Sequence, residues 1–65
     1  METPRLLSLR EVAAMTRLTE GTLRWYRHRG LGPAGFRLGR RVVYREADVV
    51  AWIEQHRSAQ LGPER

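Results

Sequence analysis

Apolar positions change their spacing along this chain, and each change predicts an element. Leu9, Val12 and Ala13 fall at helical intervals, and Ser8 followed by Glu11 has the form of a capping box, in which each side chain satisfies the other's amide. Leu7 outside the cap and Val12 inside it supply the accompanying hydrophobic staple. The pattern predicts a helix over about 9–15, with Leu9, Val12 and Ala13 inward and Met15 at the margin of that face. The same grammar returns a few residues later: Leu18 stands outside Thr19, and Leu23 lies one turn inside it. Thr22 rather than an acid holds the box position, so this cap is the weaker one. A second helix over about 20–29 follows, and Gly30 stands where a left-handed terminating residue is wanted. Thr16-Arg17-Leu18-Thr19 leaves too little chain for a long antiparallel pair and suits a helix-turn-helix corner.

Beyond that corner the spacing shortens. Leu31-Gly32-Pro33-Ala34-Gly35 is a breaker-rich loop, and Phe36-Arg37-Leu38 and Val42-Val43-Tyr44 then flank Gly39-Arg40-Arg41 as a hairpin with a basic tip. Such a hairpin is marginal alone and must lean on the helices. A last helix begins near Glu46, whose charge, with that of Asp48, suits a helix N-terminus. Val49, Trp52, Ile53 and His56 share one of its faces, which packs it across the first two helices. Residues 1–5 carry no periodic pattern and read as a flexible arm; residues 58–65, with Gly62-Pro63, read as a flexible tail. The expected architecture over 6–57 is mainly α with a short β-hairpin: helix, helix, two-stranded wing, helix, a winged helix-turn-helix.

Composition narrows the function. With 65 residues there is one small domain, and zero cysteines exclude a disulfide framework, thiolate metal sites and a Cys nucleophile. No signal peptide or membrane span is discernible, and a cytoplasmic protein is expected, nucleoid-associated in a bacterial host. Twelve basic residues against seven acidic ones give a net charge of +5, and every basic residue is an arginine. A codon bias toward arginine explains much of the missing lysine, yet it does not explain the charge. A basic surface on so small a domain points to nucleic acid.

The candidate chemistry lies on two elements. A wheel of the second helix turns Leu23 and Tyr26 inward and leaves Arg24, Trp25 and His28 outward, flanked by Arg27 and Arg29. In a major groove, Arg24 would meet guanine or phosphate, Thr22 and Trp25 a thymine methyl or phosphate, and His28 a base edge or phosphate. Packing of Trp25 beneath the wing stands as the alternative for that ring. On the wing, Arg37, Arg40 and Arg41 surround the turn with no acid between Phe36 and Arg45, an arrangement suited to a minor groove or a phosphate track. His28 and His56 stand on different helices without a nucleophile, no paired carboxylates or H-E-x-x-H spacing occur, and without lysine there is no phosphate-loop lysine. No enzyme activity, metal or cofactor is expected.

Thr22-Leu23-Arg24-Trp25-Tyr26, then Arg29-Gly30-Leu31 and Pro33, resembles the second helix and following turn of MerR-type DNA-binding domains. The stretch 36–45, followed by Ala47-Asp48-Val49 and Ala51-Trp52-Ile53, is similar to the small excisionase and AlpA-like group. The resemblance covers about 6–57. It implies a winged helix-turn-helix with the second helix in the major groove and the wing on the minor groove or backbone. It further implies a recombination directionality factor that binds repeated sites cooperatively, bends DNA and directs a phage-type integrase toward excision, or else a small transcriptional regulator. Full MerR regulators carry a long dimerisation helix and an effector domain; their absence from this stretch sets the expectation of no small-molecule effector. A protein-interaction adaptor with a basic face is the reading from outside DNA biology.

Overall fold

The computed structural model describes residues 5–62. Its elements run β1 (Leu6–Ser8), α1 (Leu9–Thr16), α2 (Glu20–His28), β2 (Gly35–Leu38), β3 (Arg41–Arg45) and α3 (Glu46–Leu61). Both helix starts form as their caps dictate. The Glu11 amide donates to Ser8 Oγ at 3.1 Å while the Ser8 amide donates to Glu11 Oε1 at 2.8 Å, and the Thr22 amide donates to Thr19 Oγ1 at 3.0 Å. α1 leaves its last turn through Arg17, whose φ is 66° and whose amide bonds the Ala13 carbonyl at 2.9 Å. α2 ends in a Schellman motif: Gly30 has φ 75°, its amide reaches Arg27 O at 3.2 Å, and the Leu31 amide reaches Tyr26 O at 2.7 Å.

The sheet has three strands in the order β1-β3-β2, both pairs antiparallel. Leu6–Ser8, which the sequence pattern treats only as the approach to a cap, is thus a third strand paired with the wing. Leu7 is opposite Tyr44 on one side of β3, and Gly35 is opposite Tyr44 on the other. Cross-strand neighbours share a face, so Leu7, Tyr44, Val42, Gly35 and Arg37 define the inner face. The core is Leu7, Val12, Leu23, Tyr44 and Val49, drawn from β1, α1, α2, β3 and α3. Gly35 is required there: a Cβ on it would stand 2.7 Å from Cε2 of the Tyr44 ring. The hairpin turns on Gly39-Arg40, with Gly39 at φ 67°, the first-position glycine of a tight two-residue connection.

Two boundaries differ from the sequence expectation. Arg5 is not part of a loose arm: its carbonyl accepts from the first amide of α3, on Glu46, at 2.9 Å, and its guanidinium pairs with Glu46 at 3.6 Å. The rest of that arm lies outside the described residues. α3 continues through Ser58 to Leu61, residues whose polarity reads as tail, and Gly62 follows it. Arg57 pairs with Glu54 at 2.7 Å on this segment, holding the Glu54 carboxyl below its ordinary range. The remainder of the tail is outside the described residues. On α3 only Val49 reaches the core fully; Trp52 and Ile53 are half-buried and His56 is exposed, its ring stacked 4.4 Å from that of Trp52.

Candidate nucleic-acid interface

α2 is fixed to the body by Leu23, fully buried, and by Tyr26, whose ring lies 6.1 Å from that of Trp52 on α3. That anchoring leaves the rest of its circumference to solvent. The exposed side divides into two stripes. Arg24, Arg27 and His28 line a groove together with Leu9 of α1 and Val42 and Tyr44 of β3, so three of the expected site residues stand beside the central strand. Trp25 and Arg29 form the second stripe, the Arg29 guanidinium carbon 5.0 Å from the centre of the Trp25 ring. Trp25 is 52% exposed, so the ring stands in solvent and not beneath the wing.

Local bonds constrain several of these side chains. Arg24 pairs with Glu20 at 3.3 Å, an exposed pair that another anion can replace. The Thr22 hydroxyl accepts from the Thr19 hydroxyl at 2.9 Å, which ties it to the cap. Arg27 and His28 are exposed, and Arg27 acts on Tyr44: burial pushes the Tyr44 phenol above its ordinary value, and the Arg27 charge opposes that rise. Tyr44 is the residue of the groove that sequence reasoning missed. The signal was present in Gly35, since a glycine inside a strand marks a close approach, but the ring that approaches it is identified only by the register.

The wing arginines diverge. Arg37 is opposite Val42 and lies on the inner face, beside the α2 groove. Arg40 occupies the turn, and Arg41, opposite Leu38, lies on the outer face. All three are exposed. The hairpin therefore presents cations on both faces and at its tip. Among the described residues no group of three His, Asp or Glu side chains is placed to hold a metal ion, and no helix is long and apolar enough to cross a membrane.

A capped helix, a tight corner, a second helix exposed along a basic side and a hairpin following it define the arrangement, and a family model described as a helix-turn-helix domain matches residues 6–57. The chain belongs to this helix-turn-helix family. No curated protein and no solved structure matches the chain significantly. Helix-turn-helix domains dock their second helix in the major groove. Family membership therefore points to double-stranded DNA as the partner, and α2 of this helix-turn-helix domain is the element in the position of the reading helix.

Proposed function

We propose that the protein is a non-enzymatic architectural DNA-binding protein of the excisionase type, a recombination directionality factor that fills repeated sites cooperatively and bends the duplex to favour integrase-mediated excision. The observation that carries the DNA reading is the groove between α2 and β3, which gathers Arg24, Arg27 and His28 beside Val42 and Tyr44. A strand of phosphates entering that groove meets the donors of α2. Trp25 and Arg29 then face base edges or the adjoining backbone, and Arg40 and Arg41 reach past the channel toward the minor groove. The excisionase assignment draws on the resemblance of the stretch from the wing to Trp52. It also draws on scale, since one such module covers only ~600–1,000 Å² of protein surface on DNA and gains specificity from neighbours along the duplex.

The test is selection of bound fragments from host or element DNA, followed by gel shifts of the recovered pieces at two salt concentrations. Direct repeats beside an attachment sequence, filling as a cooperative ladder, are expected. A single or inverted site at a promoter would replace this reading with that of a small transcriptional regulator on the same surface, and no enrichment over random DNA would leave a basic adaptor.

A further inference from the structure

The outer face of the sheet is unusual for an antiparallel sheet with its other face in the core, where polar residues are the norm. By strand alternation it carries Leu6, Val43, Phe36 and Leu38, with Ser8 opposite Val43 and with Arg41 and Arg45 on either side of Val43 along the central strand. Leu6, Phe36 and Leu38 are 41%, 40% and 55% exposed, and none of the four apolar residues belongs to the core or packs against it. Contiguous apolar exposure of this kind on a small domain marks an interaction surface.

Two observations identify what it binds. No acidic side chain occupies an outward position of any strand, so the surface is apolar and cationic together. Among the described residues every acid stands on a helix, Glu11 in its capping box, Glu20, Glu46 and Glu54 beside Arg24, Arg5 and Arg57, and Asp48 in the first turn of α3, so none belongs to the sheet. A second copy applied face to face would oppose arginine to arginine. The reading helix is on the other side, since the inner face of the sheet packs through Tyr44 against the core that contains Leu23 of α2. DNA lying along α2 and the hairpin tip meets this face only at Arg41 and leaves Leu6, Phe36, Val43 and Arg45 open.

We propose that the outer face of the sheet docks a segment of a different protein bearing alternating apolar and acidic side chains, while α2 faces DNA. Leu6, Phe36 and Leu38 receive the apolar side chains, and Arg45 pairs with a carboxylate. This surface extends the DNA reading and does not depend on it.

The probe is a synthetic peptide of repeating Asp-Leu-Glu-Phe, titrated into the isotope-labelled full chain, with a control in which serine replaces every Leu and Phe. Amide shifts centred on Leu6, Phe36, Leu38 and Val43 are expected with the first peptide and not with the control. Phe36→Thr with Leu38→Thr, which keeps strand propensity, should weaken the peptide at least tenfold at an unchanged melting temperature and unchanged DNA affinity. Arg45→Glu should weaken it similarly, and tests the charge without touching the apolar residues. Absence of binding, equal binding of the serine control, or shifts spread over the arginines of α2 would overturn the proposal. Loss of DNA affinity or bending in the double variant would assign the face to DNA instead. A concentration-dependent dimer that disappears in the same variant would assign it to a second copy.

Discussion

Arg17 and Gly35 are two positions where side chain and backbone demand opposite things. Arg17 holds the left-handed conformation at the corner between α1 and α2 with φ 66°, a place glycine takes at much lower cost. Arg17→Gly is therefore expected to stabilise the fold by about 0.5–1 kcal/mol, read as a higher denaturant midpoint at unchanged slope. Gly35 has the reverse problem, because any Cβ meets the Tyr44 ring at 2.7 Å. Gly35→Ala should cost about 1–3 kcal/mol through overpacking, measured in the same unfolding experiment. The cap residues Ser8, Glu11 and Thr19 were legible in the sequence because a cap is written in neighbouring residues. The strain at Arg17 was not, because nothing about an arginine announces positive φ. The exposure of Trp25 was equally hidden, since a helical wheel gives a direction but not the position of the wing.

Among the elements, α2 carries the chemistry and the short strands carry the surprises. Arg24 stands in the groove while Arg29 lies over Trp25, so the two arginines are expected to respond differently. Arg24→Ala should reduce discrimination between a selected site and random DNA by about 1–3 kcal/mol if its guanidinium makes a bidentate base contact. Titration of both DNAs with the variant measures this, and an equal loss on each would make Arg24 a phosphate anchor. The hairpin was legible from alternation and its glycine turn. β1 was not, because Leu6–Ser8 spans too few residues to show a period of two and its partner is Val43–Arg45, far along the chain. Leu7 serves as staple and as core strand residue at once, and only the first role is visible locally. The extension of α3 to Leu61 escaped notice for another reason: its last turns are exposed all round, so no apolar stripe records them.

The whole molecule rests on a core of Leu7, Val12, Leu23, Tyr44 and Val49, in which one tyrosine joins all the layers. Because burial raises the Tyr44 phenol above its ordinary value, the folded state holds that proton more tightly than the unfolded chain. The sign follows: this contribution to stability is intact below the ordinary tyrosine range near pH ~10 and is lost as pH rises through the raised value. Thermal unfolding across alkaline pH should show this decline, and Tyr44→Phe should flatten it. The fold class and the order of helices and hairpin were written in periodicity, caps and breakers. The grouping of Arg24, Arg27 and His28 in one groove with Val42 and Tyr44 was not, because it depends on how β3 sits against α2. In the proposed reading α2 and the wing together hold DNA. Binding constants for a selected fragment and for random DNA, measured against salt for the parent and for Arg40→Ala with Arg41→Ala, test it most directly. Tighter binding of the selected fragment is expected and, in the double variant, a shallower slope on both DNAs, each lost phosphate contact removing ~0.9 from the slope. Equal affinity for the two DNAs with a slope unchanged by the substitutions would contradict it.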